Sequence, residues 1–182
     1  MDTTKIKIKT KNYKGVMTTT NSSTIKVQKR DGRLEPLDIN KIHFVVEEAC
    51  EGLPGVSASQ IEMNANIQFY DGMTTKDIQN VLVRSANDLI SLEAPNYQYA
   101  AARLLSYDVR KEAHGQYEYI PLLKLILRNI RLGVYDKGIL EKYTKTEIKK
   151  FNTWIRRDRD LNFTYAGLRP VSYTHLRAHE TS

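Results

Sequence analysis

The sequence contains a single cysteine, Cys50, among its 182 residues. One thiol cannot form an intramolecular disulfide, and it cannot supply the C-x-x-C pairs of a zinc ribbon. The chain also lacks the phosphate-loop pattern G-x-x-x-x-G-K-[ST] and the dinucleotide pattern G-x-G-x-x-G. No apolar run approaches the length of a membrane span, and MDTTKIKIKT has no apolar core of signal-peptide length. We therefore expect a soluble cytoplasmic protein.

Positive charge is in excess, since 28 Lys and Arg residues face 21 Asp and Glu residues and give a net charge of +7. This balance favours an anionic partner, which could be a nucleotide, a nucleic acid or an acidic protein surface. Charge alone does not choose among the three. The length suits one well-packed domain and the beginning of another.

The stretch TIKVQKRDGRLEPLDINKI, residues 24–42, predicts a hairpin followed by a helix. Apolar and polar residues alternate through Ile25–Lys29, and Asp31-Gly32 suits a tight turn. Pro36 limits the second strand, and Asp38 stands where a helix needs its N-cap.

Basic side chains are expected to converge at this helix start, where unpaired backbone N–H groups already favour an anion. They are Lys29 and Arg30 from the hairpin and Lys41 from the first helical turn. Three further side chains, Thr75, Gln79 and Lys111, could reach the same anion. The alternative is that the cations are ordinary solvated charges and that the other three serve helix ends.

Capping and hydrophobic periodicity predict a mostly helical α+β domain. Four helices are expected after the hairpin: from Asp38 to Glu51, from Ser57 to about Tyr70, from Thr74 onward, and from Pro95 to about Gly115. Further on, a helix is expected over Pro121–Leu132, and Thr144 with Glu147 forms a capping-box pattern ahead of another.

Catalytic and metal-binding patterns are weak. Cys50 falls on an apolar helix face, which favours a buried thiol. His175 and His179 have the i, i+4 spacing of metal ligands but no suitable third ligand nearby, so no metal site is predicted.

A basic, tyrosine-rich chain also fits a freestanding nucleic-acid-binding module. Against that alternative, several tyrosines occupy apolar helix positions, where core packing explains them better: Tyr97, Tyr99, Tyr107 and Tyr117.

The segment KRDGRLEPLDINKI resembles the opening of the ATP-cone, a nucleotide-binding regulatory domain of ribonucleotide reductase large subunits. The resemblance continues through EEACEGL, SQIEMNANIQFYDGMTTKDI, APNYQYAAARLL, RKEAHGQYE, YDKGILEKYT and DRDLNFTYAGL. It covers residues 24–168 and points to the class I ribonucleoside-diphosphate reductases. It implies a bundle of about four helices capped by a small β-hairpin or sheet, with ATP or dATP bound under the hairpin.

The resemblance also implies roles for individual residues. Val27 would contact the nucleotide through its backbone, and Glu35 and Asp38 would face the adenine. Gln79 would lie near the sugar and phosphates. The triphosphate, carried with Mg²⁺, would be surrounded by Lys29, Arg30, Lys41, Thr75 and Lys111.

The domain organisation implied is a flexible leader (1–23), an ATP-cone (24–115), and a helical link with the start of a catalytic domain (116–168). Residues 169–182 resemble translated adapter sequence, and we expect no defined structure and no function for them. The parent enzyme would be a homodimer that reduces ribonucleotides for DNA synthesis, together with a radical-generating, iron-containing small subunit. All its catalytic residues would lie outside this chain, which is therefore expected to be inactive alone.

Overall fold

A computed structural model describes residues 25–174 of the chain. Three short strands form one sheet in the order β2-β1-β3: β1 (Lys26–Gln28), β2 (Leu34–Pro36) and β3 (Met73–Thr74). Strands β1 and β2 are antiparallel, with Val27 opposite Glu35, and β3 adds to β1 in parallel, with Met73 opposite Val27. Gly32 closes the hairpin with a φ of 85°, a left-handed value that glycine adopts without steric cost. The predicted hairpin is confirmed, whereas the third strand was not predicted.

Four helices follow the hairpin and build the bundle: α1 (Ile39–Cys50), α2 (Ala58–Asn66), α3 (Thr75–Asp88) and α4 (Tyr97–His114). The predicted mostly helical α+β fold is confirmed. The predicted end of the second helix at about Tyr70 is wrong, because α2 ends at Asn66 and Ile67 is exposed. Residues 67–72 instead turn the chain into β3.

The remaining elements are α5 (Leu122–Arg131), α6 (Gly138–Lys142), α7 (Lys145–Trp154), a 3-10 helix (Arg157–Asn162) and α8 (Tyr165–Thr174). Helix α5 packs on α7, while the 3-10 helix and α8 pack against α4. None of the helices within residues 25–174 is both long and apolar enough to cross a membrane.

Helix starts follow the predicted caps. Asp38 accepts hydrogen bonds from the backbone N–H groups of Asn40 and Lys41, and Thr74 accepts one from Asp77. Thr144 and Glu147 form the complete capping box at α7. Each such cap stabilises a helix by about 1 kcal/mol.

The core lies between α3 and α4 and the helices that pack on them. Its fully buried side chains include Val46, Ile61, Leu82 and Leu104. Tyr97 is also buried, and its hydroxyl donates to Gln60 Oε1 at 2.5 Å while accepting from the Ser57 N–H. This tyrosine therefore serves the core, as predicted.

The segment after α4 is tied back to the bundle through aromatic residues. The Tyr117 hydroxyl donates to Glu48 Oε2 on α1 at 2.6 Å. The Arg110 guanidinium lies 4.8 Å from the ring centroid of Tyr107, 5.4 Å from that of Tyr117 and 4.4 Å from that of Tyr119. Cation–π contacts of this kind fix the direction in which the chain leaves α4.

Helix α8 runs six residues past Leu168, through Arg169–Thr174. The expectation of no defined structure from residue 169 is therefore wrong for those six residues. The reason is that Tyr165 and Leu168 pack against the core and anchor the first turns, even though Pro170 removes one backbone donor. The leader 1–23 and the histidines His175 and His179 lie outside the described residues.

His43 links α1 to α2, because its Nδ1 lies 2.7 Å from Glu62 Oε1. Its Nε2 lies 3.2 Å from Glu47 Oε1. The hydrogen bond to Glu62 and the charges of both carboxylates raise the pKa of His43 above 6.5. A raised pKa in the folded state means that protonated His43 stabilises the fold. This contribution is complete below the unfolded pKa and is lost as the pH rises through the folded pKa.

We predict that His43→Gln destabilises the chain more at about pH 5.5 than at about pH 8.5, where the imidazole is neutral. Urea unfolding of the two proteins at both pH values measures the difference. Glu62→Gln should reduce the same pH dependence, because only the charge of Glu47 would then raise the pKa of His43. An equal destabilisation by His43→Gln at both pH values would contradict the assignment.

Candidate functional site

A cavity of about 730 Å³ opens between the hairpin, the start of α1, the start of α3 and the end of α4. Eight of the nine predicted site residues line it: Val27, Lys29, Glu35, Asp38, Lys41, Thr75, Gln79 and Lys111. The ninth, Arg30, lines an adjoining cavity of about 440 Å³ that shares five of these residues with the first. The structure therefore brings together residues that lie up to 84 positions apart.

The hairpin contributes two cations. Lys29 follows β1, and its Nζ lies 3.2 Å from Glu35 Oε2 on β2. Arg30 Nη1 donates to the backbone oxygen of Lys111 at 3.1 Å, and its Nη2 lies 3.9 Å from Asp108 Oδ1. Arg30 therefore fastens the hairpin to the C-terminal end of α4, where the helix dipole also favours a cation.

The start of α1 contributes Asp38 and Lys41. Asp38 Oδ1 accepts from the backbone N–H groups of Asn40 and Lys41, while Oδ2 lies 3.4 Å from Lys41 Nζ. The backbone hydrogen bond from Lys41 is the largest of the causes that lower the pKa of Asp38. Asp38 is therefore an ionised group that only accepts hydrogen bonds.

Lys111 is half-buried at the end of α4. Burial lowers the pKa of its ammonium group, and the positive charges of Arg30 and Lys29 lower it further, while Asp108 acts in the opposite sense. Within residues 25–174, no carboxylate oxygen lies within 4.0 Å of its Nζ. Burial and the neighbouring charges therefore make the charged form of Lys111 less stable, and a nearby anion would stabilise it.

Helix α3 contributes Thr75 and Gln79, one turn apart. Thr75 is the first residue of α3, so the cavity meets the N-terminal ends of both α1 and α3, where partial positive charge accumulates. Gln79 is buried, and its Nε2 donates to the backbone oxygen of Leu104 at 2.8 Å. This bond leaves the amide oxygen and the second N–H available.

Sequence reasoning missed the apolar wall and the buried acid of the site. The wall consists of side chains that the helical pattern assigned to the core or left unassigned: Leu37, Ile42, Val45, Ile78 and Leu82. Their spacing on α1 and α3 signals an inward face, yet it does not separate a cavity wall from a packed core. Asp108 lies three residues before Lys111, and nothing in the local sequence announces its contact with Arg30.

The cavity lining therefore combines cations and two helix N-termini with apolar side chains and two carboxylates, Glu35 and Asp38, each of which pairs with a lysine. Such a lining suits a ligand that has both phosphate groups and a flat, amine-bearing ring. Cys50 does not line it, and burial raises the pKa of this thiol to about 11. Within the described residues 25–174, no group of three or more His, Cys, Asp or Glu side chains could hold a metal ion.

Residues 25–112 match the ATP cone domain family. The chain is also similar to curated proteins. It is 44% identical over 155 residues to ribonucleoside-diphosphate reductase 1 subunit alpha of Salmonella typhimurium, covering 85% of this chain and 20% of that relative. Its identity to the protein of the same name from Escherichia coli is 45% over 150 residues, covering 82% of this chain and 20% of the relative.

A more distant relative is ribonucleoside-diphosphate reductase subunit alpha of Helicobacter pylori, 37% identical over 152 residues, with 84% of this chain and 19% of the relative covered. The chain spans about a fifth of the length of these relatives. The chain therefore carries an ATP-cone domain and is similar, over 82–85% of its own length, to about a fifth of the alpha subunits of ribonucleoside-diphosphate reductases.

Proposed function

We propose that the cavity under the hairpin binds ATP or dATP and acts as an allosteric site. The observation that carries this proposal is the position of Lys111, which is half-buried and lies in the positive field of Arg30 and Lys29. Burial and these two charges lower the pKa of Lys111. A triphosphate placed among these cations would replace repulsion with charge-assisted hydrogen bonds. The ATP cone family match over residues 25–112 supports the same ligand.

The phosphate end of the ligand would contact Lys29, Arg30, Lys41, Thr75 and Lys111. Two of these cations now pair with carboxylates of the same cavity, Lys29 with Glu35 at 3.2 Å and Lys41 with Asp38 at 3.4 Å. Nucleotide binding would exchange these exposed ion pairs, which are worth little in water, for contacts with a more highly charged triphosphate. Any Mg²⁺ would arrive bound to the phosphate oxygens.

The adenine end would lie against the apolar wall near Val27, with Glu35 and Asp38 as acceptors for its amino group. Since the pKa of Asp38 is lowered, its carboxylate accepts and does not donate. Gln79 already donates one N–H to Leu104, and we propose that its amide oxygen approaches the sugar. An acceptor suits a ribose hydroxyl better than it suits a phosphate oxygen.

For the whole protein we propose the activity named in its relatives, ribonucleoside-diphosphate reduction, in the cytoplasm. The parent would be a homodimer working with a radical-generating, iron-containing small subunit, and this region would regulate it. The alternative of a freestanding nucleic-acid-binding module receives no support from the match to the ATP cone domain or from the similarity to reductase alpha subunits.

We predict that ATP and dATP raise the thermal unfolding midpoint of the full chain, whereas GTP does not. At about a hundred times its dissociation constant a ligand stabilises by about 2.7 kcal/mol. For a chain of this length that corresponds to a shift of roughly 5 to 10 °C. Differential scanning fluorimetry measures the shift directly.

The matched variants for this experiment are Lys29→Ala and Lys26→Ala. Both residues lie at β1, but only Lys29 lines the cavity. Losing one charge-assisted hydrogen bond should weaken ATP binding by about tenfold or more in Lys29→Ala. Lys26→Ala should bind as the wild type does. An equal ATP shift in both variants, or a shift with GTP as large as with ATP, would refute the site.

A second prediction concerns Lys111→Met, which should stabilise the chain without ligand and reduce the stabilisation by ATP. The substitution removes a half-buried charge that Arg30 and Lys29 repel, and it keeps most of the apolar stem. Urea unfolding with and without ATP measures both effects. Lys26→Met is the control and should change neither, while a loss of stability in Lys111→Met without ligand would contradict the electrostatic account.

We also predict that the chain alone does not reduce ribonucleoside diphosphates. The reaction inferred for the parent needs a redox-active cysteine pair, whereas this sequence has only Cys50, which is half-buried and has a raised pKa. Incubation with a ribonucleoside diphosphate and a dithiol, followed by chromatography, should give no deoxyribonucleotide. Product formation that disappears in Cys50→Ser would overturn the prediction.

A further inference from the structure

The cavity under the hairpin is called the cone site below. A second cavity, of about 620 Å³, lies outside it, between the end of α4 and the helices α5 and α7. Its lining includes the apolar side chains of Ile120, Pro121, Leu123 and Leu127. Its volume falls in the range of small-molecule sites, which runs from about 300 to 1,000 Å³. It shares no lining residue with the cavity under the hairpin.

The charges around this second cavity have one sign. Four cationic side chains line it, Lys124, Arg128 and Arg131 from α5 and Lys149 from α7, and the lining includes no aspartate or glutamate. In the part of the chain that the structure describes, none of the four forms an ion pair within 4.0 Å. The mutual repulsion of these side chains is therefore not relieved by a carboxylate in contact with them.

His114, at the end of α4, also lines the cavity. Burial and the positive charges of Arg128 and Arg110 lower its pKa, while a backbone hydrogen bond at Ala113 acts in the opposite sense. The imidazole thus lies in the positive field of Arg128, one of the four cations, and of Arg110. A bound anion would reverse that effect and raise the pKa of His114.

Two hydrogen bonds hold the cavity open in a defined shape. Asn152 Oδ1 accepts from the Leu122 N–H at 2.9 Å and joins α7 to the start of α5. Arg128 Nη1 donates to the backbone oxygen of His114 at 2.7 Å and joins α5 to the end of α4. The cations therefore stand around a formed hollow, which distinguishes them from charges scattered over a surface.

We propose that this cavity is a second anion site, which binds the oligophosphate group of a small phosphorylated molecule. The phosphate oxygens would contact Lys124, Arg131 and Lys149 at its rim and Arg128 deeper inside. The apolar side chains of Leu123 and Leu127 would hold the remainder of the ligand. Because its residues differ from those of the cone site, the proposal does not depend on nucleotide binding there.

The probe for the test is inorganic tripolyphosphate, titrated into the ¹⁵N-labelled full chain and followed by amide chemical shifts in NMR spectra. We expect saturable shifts at Leu122, Leu123 and Lys124, next to the cavity. Shifts at Asn40 and Lys41 report separately on the cone site, so the failure of one site is distinguishable from the failure of the other.

The test variant replaces the three exposed rim cations, Lys124→Gln, Arg131→Gln and Lys149→Gln, and leaves Arg128 in place because it holds the end of α4. The control variant removes the same charge from exposed lysines that do not line the cavity: Lys137→Gln, Lys142→Gln and Lys145→Gln. Binding at the second cavity should weaken by about tenfold or more in the test variant and remain within about twofold in the control.

Two results would overturn the proposal. One is the absence of saturable shifts at residues 122–124 in the wild type. The other is an equal loss of binding in both variants, which would indicate diffuse attraction to a basic surface. If an oligonucleotide shifts amides along the outer faces of α5 and α7 while tripolyphosphate does not, the surface is a nucleic-acid interface and the small-molecule site is wrong.

Discussion

Three cations, Lys29, Arg30 and Lys111, lie close together at the end of α4. The attachment of the hairpin depends on the interactions that offset their mutual repulsion. Arg30 uses its guanidinium to join the backbone oxygen of Lys111 and, at 3.9 Å, the buried carboxylate of Asp108. The negative end of the α4 dipole also favours positive charge. These interactions hold the hairpin in place but leave Lys111 with a lowered pKa. Within residues 25–174, the charge of Lys111 at the cavity therefore has no carboxylate within 4.0 Å.

The same geometry aligns three helix ends around one hollow. Helices α1 and α3 both begin there, capped by Asp38 and Thr74, and α4 ends there. Helix N-termini favour anions through their backbone N–H groups, and the cations at the end of α4 favour anions through full charges. The helix N-termini and the cations therefore both favour an anion in the cavity. The small sheet matters because β1 and β3 set the hairpin above these helix ends.

The elements predicted well from the sequence are those in which the deciding contact is local. The caps at Asp38, Thr74 and Thr144 act within three residues, and periodicity identified most helices. Strand β3 was missed because its two residues pair with β1 from 46 positions away. The contact of Arg30 with Asp108 and the bond from Gln79 to Leu104 also join residues that are far apart in sequence, by 78 and 25 positions. Charge and helix starts indicated six of the nine predicted site residues, and the resemblance added Val27, Glu35 and Asp38, but the present partners of these residues required the structure.

The two cavities show why net charge alone could not name a ligand. Both are lined by cations and apolar side chains, yet only the cone cavity also holds carboxylates, Glu35 and Asp38. Cations suffice for phosphate, whereas under the proposal above the two carboxylates would face the ring. The six-position of adenine carries a donating amino group, and that of guanine carries an accepting oxygen. A carboxylate facing that oxygen would find no donor there and would repel it, so the proposed preference for adenine would follow from rejection of guanine as much as from attraction.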